Sequence, residues 1–142
     1  MTIAHLIEGR GESVLSCTVA TLVSEAVAIL ADKRIGALPV IDGDAVVGIF
    51  SERDVIYRLR EMGPDALGKA VGDVMTAPAV TVSPDTEALT ALSLMTRRRI
   101  RHLPVVDGTR MVGFVSIGDL VKHRIDKIES EAAAMRDYIQ MA

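Results

Sequence analysis

Tryptophan is absent from this 142-residue chain, which has just two phenylalanines and two tyrosines. Its 49% hydrophobic content must therefore be met by aliphatic side chains, so a core of Val, Ile, Leu, Ala and Met is expected. The shortage also removes the aromatic platforms on which single-stranded nucleic acid stacks. A net charge of −3 gives no general attraction to nucleic acid or anionic lipid. Cys17 is the single cysteine, so no internal disulfide can form, and a reducing compartment, the cytoplasm, fits. His5, His102 and His123 are scattered, without the spacing of a metal cluster. Met1 to His5 shows no basic stretch leading into an apolar core, so no signal peptide is expected. The apolar stretch from Leu22 to Ala31 is broken by Ser24 and Glu25 and is too short to span a bilayer. A Gly-x-Ser-x-Gly elbow, a P-loop and a Gly-x-Gly-x-x-Gly turn after a strand are all missing. These absences argue against an enzyme, a membrane protein and a nucleic-acid-binding protein.

What is present is a repeat. Ile35-Gly36-Ala37-Leu38-Pro39-Val40-Ile41-Asp42-Gly43 returns as Ile100-Arg101-His102-Leu103-Pro104-Val105-Val106-Asp107-Gly108, at a constant offset of 65 residues from Thr21/Thr86 to Asp54/Asp119. Each copy is too short to bury a core alone. The two should pack about a pseudo-twofold axis, with related clefts at the seam.

Val14 to Cys17 reads as a short strand, and Thr21 as the N-cap of a helix from Leu22 to Arg34. Leu38 to Ile41 and Val46 to Phe50 are apolar runs around the hairpin signal Asp42-Gly43-Asp44. Ser51 caps a helix over Glu52 to Glu61. The second copy repeats this order, with a strand expected from Ala79 to Val82. Each unit reads β-α-β-β-α, which argues for an α/β layered domain. The run Arg97-Arg98-Arg99, with Arg101, closes a helix C-terminus, where cations suit the dipole. The last helix runs on to about Met141, with Val121, Ile125, Ile128, Ala132, Met135 and Ile139 in a heptad-like stripe. That stripe fits either a helix lying back on its own domain or a dimer contact.

Chemistry concentrates in Gly48-Ile49-Phe50-Ser51-Glu52-Arg53-Asp54 and Gly113-Phe114-Val115-Ser116-Ile117-Gly118-Asp119. Ser-x-x-Asp is first a capping pattern. The same geometry serves a nucleotide: free N–H groups suit a phosphate, and a carboxylate one turn in accepts from a ribose diol. Arg53 adds a forked cation to the first motif where the second has Gly118, so the first could carry phosphates and the second is less charged. Asp54 and Asp119 fall in separate clefts and make a poor acid/base pair.

The frame Ile-x-x-Leu-Pro-Val, Asp-Gly, Gly-apolar-apolar-Ser-x-x-Asp, present twice in register, resembles tandem cystathionine-β-synthase (CBS) domains, the paired unit called a Bateman module. More narrowly, Gly48 to Asp54, Arg101-His102-Leu103-Pro104 and Val115 to Lys122 look like small stand-alone bacterial CBS-pair proteins. The resemblance implies an α/β (α+β) fold in which two β-α-β-β-α repeats form one module with a long C-terminal helix. Repeat 1 would span 8–62, a linker 63–73, repeat 2 74–126, and a helical extension 127–142. It implies a regulatory ligand, AMP, ADP, ATP or NAD(H), and no catalytic cofactor. Carried over by position, one site would use Met75, Pro78, Val80, Ile100, Arg101 and His102 with Ile49, Ser51, Arg53 and Asp54. The other would use Ser13, Leu15, Ile35, Gly36 and Ala37 with Phe114, Ser116, Gly118 and Asp119. The site holding Asp54 and Arg53 is favoured. A homodimer and an unidentified downstream protein complete the expectation; a structural dimerisation module without a nucleotide is the alternative.

Overall fold

In the computed structural model, which describes residues 1–9 and 14–141, the two apolar runs of each repeat fold back as a hairpin. β1 (Cys17–Thr18) lies parallel to β2 (Ala37–Asp42), which pairs antiparallel with β3 (Ala45–Ser51); β4 (His102–Asp107) pairs antiparallel with β5 (Arg110–Ser116). The registers obey the sequence offset. Leu38 faces Phe50 and Leu103 faces Val115, and the pairing shifts at Val40/Ile41 and again at Val105/Val106. Ala45 and Arg110 join the hairpins, giving one sheet in the order β1-β2-β3-β5-β4. The helices are α1 (Ile3–Ile7), α2 (Val23–Lys33), α3 (Glu52–Met62), α4 (Val71–Val74), α5 (Ala88–Arg98) and α6 (Ile117–Met141). The mixed α and β architecture read from the sequence is the one found.

The opening strand of each repeat is shorter than expected. The run Val14 to Cys17 yields the two-residue β1, and Ala79 to Val82 yields one parallel bridge, Val82 to Val105. Val82 N–H donates to the Pro104 carbonyl at 3.0 Å, and Val106 N–H to that of Val82 at 2.8 Å. Pairing stops because the chain turns at once. Thr18 N–H donates to Thr21 Oγ1 at 3.0 Å, and Ser83 N–H to Thr86 Oγ1 at 3.2 Å. Thr21 is therefore a turn residue, not the N-cap of α2. That helix starts at Val23, and Glu25 Oε1 accepts from Leu22 N–H at 3.1 Å.

Each repeat has its own core, and each core is completed by the segment that precedes the other repeat. Val71 and Val74 join Val23, Ala26, Leu38, Val40 and Phe50. Ile3 joins Ala88, Ala91, Met95, Leu103 and Val115. The docking bonds correspond: Ile3 N–H donates to the Thr86 carbonyl at 2.8 Å, and Val71 N–H to that of Thr21 at 2.7 Å. Burying a side chain of this size contributes about 1.5–3 kcal/mol, so residues 63–73, expected as a linker, also hold the first repeat together. The repeated frame's leading glycine lets the segments lie close. A Cβ on Gly48 would meet Met75 Sδ at 2.6 Å, and one on Gly113 would meet Ile7 Cγ2 at 2.9 Å.

The last helices differ. α3 has 11 residues and α6 has 25. In α6 only Leu120 is buried, whereas Val121, Ile125, Ile128, Met135 and Ile139 are exposed. The heptad-like stripe does not lie back on its own domain. Among the described residues no helix is long and apolar enough to cross a membrane.

Candidate functional site

Both Ser-x-x-Asp motifs fold as the capping pattern predicts. At the head of α3, Asp54 N–H donates to Ser51 Oγ at 3.3 Å, and Ser51 N–H returns to Asp54 Oδ2 at 2.9 Å. At the head of α6, Asp119 N–H donates to Ser116 Oγ at 3.1 Å, and Ser116 N–H to Asp119 Oδ2 at 2.8 Å. Capping and site formation are one geometry, because the box holds each carboxylate at a cleft wall.

Asp54 is 9% exposed. Its Oδ2 accepts from both Ser51 N–H and Ser51 Oγ, the latter at 3.1 Å, and its Oδ1 accepts from Thr76 Oγ1 at 2.8 Å. A carboxylate oxygen has two lone pairs, so Oδ1 can accept one further hydrogen bond from a ligand hydroxyl. Thr76 reaches it because the segment after α4 lies on β3: Thr76 N–H donates to the Ile49 carbonyl, and Ile49 N–H to that of Thr76, each at 2.9 Å.

Asp54 faces a cleft of about 440 Å³. The seam brings Ile49, Ser51, Arg53 and Asp54 of the first repeat to its walls with Pro78, Val80, Ile100, Arg101 and His102 of the second. Met75, placed here by position, is not in the lining; it packs against the first core at Gly48. Two arginine contacts beside the cleft also cross the seam among the described residues: Arg53 Nη1 donates to the Arg99 carbonyl at 3.4 Å, and Arg101 Nη2 pairs with Glu52 Oε1 at 3.4 Å.

A second cleft of about 510 Å³ contains Leu15, Ile35, Gly36, Ala37, Phe114, Ser116 and Asp119. Gly118 is exposed and does not line it, and Ser13 lies outside the described residues. Gly36, Ala37 and His102 line both clefts. The His102 ring stacks on Phe114, with centroids 5.5 Å apart and planes 28° apart. Burial, aided by the Arg101 guanidinium, pushes its pKa below the usual 6.5, against opposing pulls from Glu52 and Asp119. His102 is therefore neutral at pH 7.

Cys17 has no part in either cleft. Its buried thiol reaches the Pro39 carbonyl at 3.8 Å, and burial pushes its pKa up to about 11, which makes it a core residue rather than a nucleophile. Sequence reasoning missed Thr76, Tyr57, Arg58, Glu61, Arg98 and Arg99 in the Asp54 cleft, and Ile7, Arg34 and Val112 in the other. Arg34 and Arg99 were findable, since they are one offset apart and directly precede the repeated Ile-x-x-Leu-Pro. Thr76 had no such signal.

Two like hairpins in one sheet, crosswise-docked leading segments and a cleft on either side of one shared wall define a paired CBS module. The CBS domain profile matches residues 11–61 and 71–126, and the chain belongs to that family. It is 36% identical over 148 residues to the mitochondrial CBS domain-containing protein CBSX3 of Arabidopsis thaliana, covering 98% of this chain and 72% of that one. Among solved structures it is similar to a CBS-domain containing protein from Agrobacterium tumefaciens, with 32% identity, a TM-score of 0.81, and coverage of 87% and 99% of the two chains. It is also similar to CBSX2, solved in complex with AMP, with 28% identity, a TM-score of 0.75, and coverage of 88% and 96%.

Proposed function

We propose that this chain is a regulatory module that binds an adenosine nucleotide, AMP, ADP, ATP or NAD(H), between its repeats. The observation that carries the reading is the Asp54 carboxylate. It is fixed by a capping box, opens onto a cleft between the repeats, and has one accepting position left on Oδ1. The AMP complex of the similar CBSX2 supports the ligand class. In this reading the base lies beside Pro78, Val80 and Ile100, the ribose hydroxyls meet Asp54, and the phosphate end meets Ser51, Arg53 and Arg101. The second cleft offers Leu15, Ile35 and Phe114 to a base, and Asp119 to a ribose. A ligand touching both repeats stabilises one relative arrangement of them, and a partner protein reads the change. The module is a binder rather than a catalyst, since Asp54 and Asp119 line different clefts. The lone buried thiol suits a reducing compartment, the cytoplasm.

The test is the melting temperature of ligand-stripped protein with adenosine, AMP, ADP, ATP and NADH. A ligand at 100 times its dissociation constant adds about 2.7 kcal/mol. If none of the five raises the melting temperature, the nucleotide reading is wrong.

The exposed stripe on α6 supports a second element, a homodimer joined through that helix. Ile128→Glu places a charge in the middle of the stripe and is expected to give monomers in light scattering. A dimer that survives the substitution removes α6 from the interface.

A further inference from the structure

We propose that the Asp54 cleft selects ligands carrying a di- or triphosphate chain, that Arg98 and Arg99 read that chain, and that the Asp119 cleft does not share this preference. The proposal deepens the nucleotide reading and rests on it.

Five arginines line the Asp54 cleft, against the carboxylates of Asp54 and Glu61. Three are committed. Arg58 Nε donates to the Val74 carbonyl at 3.3 Å and its Nη1 pairs with Glu61 at 3.0 Å. Arg101 pairs with Glu52, and Arg53 donates to the Arg99 carbonyl. Arg98 and Arg99 make no side-chain hydrogen bond or ion pair with any described residue. One phosphate is satisfied by one or two guanidinium groups; a free pair beside three committed ones suits a longer anion.

The backbone adds an independent observation. Arg99 caps α5 with φ 55° and ψ 43°, the left-handed region where a helix end favours glycine or asparagine. An arginine persists there against its conformational preference, although Arg97 and Arg98 already supply cations to the helix end. Arg34 does the same after α2, with φ 53°. The shared left-handed helix end sets Arg99 at the Asp54 cleft and Arg34 at the Asp119 cleft.

The Asp119 cleft has the same backbone without the cluster. Where one repeat has Arg53 and Arg101, the matching positions of the other are Gly118 and Gly36. Among the described residues, its lining holds one arginine, Arg34, and one carboxylate, that of Asp119.

The test is calorimetry on the full chain in metal-free buffer at two salt concentrations, with adenosine, AMP, ADP, ATP and inorganic tripolyphosphate as probes. The wild type is expected to bind ADP and ATP at least about tenfold more tightly than adenosine, with the gap narrowing in high salt. The double substitution Arg98→Gln and Arg99→Gln should lower ATP affinity at least about tenfold and leave adenosine within about twofold. Arg99→Gly should keep or raise the melting temperature while weakening ATP. Equal affinities for ATP and adenosine in the wild type, or a double variant that binds ATP normally, overturn this proposal and leave the nucleotide reading standing. Absence of binding by adenosine and every nucleotide overturns that reading as well. Tripolyphosphate that binds through Arg98 and Arg99 while adenosine stays silent keeps the cluster as an anion site but removes the nucleoside.

Discussion

From the turn at Thr21 or Thr86 to the Ser-Asp box, the two repeats share one backbone frame. Hairpin register, the shift within it, the turn at Thr21 or Thr86 and the Ser-Asp box all recur. Within that frame the side chains differ: Arg53 against Gly118, Arg101 against Gly36, His102 against Ala37. The comparison separates what a position owes to the fold from what it owes to the ligand. Identical geometry is common to both clefts and cannot be the source of any difference in what they bind.

The largest effect expected is at Asp54. Asp54→Ala removes an acceptor to which a ribose hydroxyl would make a charge-assisted bond, and such bonds contribute roughly 1.5–3 kcal/mol each. Nucleotide affinity should fall about 10- to 100-fold, and the capping box goes with it, at a cost of about 0.5–2 kcal/mol in stability. Asp119→Ala disrupts the matching box, so its stability loss should be similar. If ATP occupies the Asp54 cleft, its affinity should survive Asp119→Ala. Calorimetry and urea unfolding on the two variants separate capping from binding; equal losses of ATP affinity would break the distinction between the clefts.

A smaller effect tests the shared geometry itself. Gly48 and Gly113 occupy one position, but an added methyl meets different neighbours. At Gly48 it meets the Thr76 carbonyl oxygen at 2.8 Å as well as Met75 Sδ; at Gly113 the nearest described atoms belong to the Ile7 side chain. Backbone gives way less readily than a side-chain tip, so Gly48→Ala should cost roughly 1–3 kcal/mol and Gly113→Ala under about 1 kcal/mol. Urea midpoints would reveal the order, and a reversed order would mean that α1 is held more rigidly than the Thr76 segment.

The features legible in the sequence were those written locally. Asp42-Gly43 and Asp107-Gly108 specify tight turns between β-branched runs, and Ser-x-x-Asp specifies a cap, so hairpins and boxes could be read directly. The crosswise docking was not legible. Its partners are distant in sequence, and its two copies, Ile3 and Val71, are 68 residues apart rather than 65, outside the repeat frame. Thr76 follows from that docking, which is why it was missed while Asp54 was found. Met75 was carried over by position into the cleft, but its neighbour Gly48 draws it into the core contact instead. Thr21 was misread because a threonine before an apolar helical run looks the same whether its hydroxyl caps the helix or closes the preceding turn.

The smallest effect concerns His102, whose counterpart Ala37 cannot titrate although both line both clefts. Burial and Arg101 hold the folded imidazole below its usual 6.5, while Glu52 and Asp119 oppose the shift. Between the folded value and 6.5 the unfolded chain therefore binds the extra proton, so stability rises with pH across that window. The contribution is complete above 6.5, is lost as pH falls through 6.5 towards the folded value, and is constant below it. Aspartates and glutamates also weaken the fold in acid, so the informative quantity is a difference. His102→Gln keeps a polar side chain without the titration, and its melting temperature should fall less than that of the wild type between pH 7.5 and pH 5.5. Ala37→Ser, at the matching position, should leave the wild-type pH dependence in place. Parallel pH curves for the wild type and His102→Gln would mean that the ring gains and loses its proton as freely in the folded chain as in the unfolded one. The wall between the clefts would then be open to water on the histidine side.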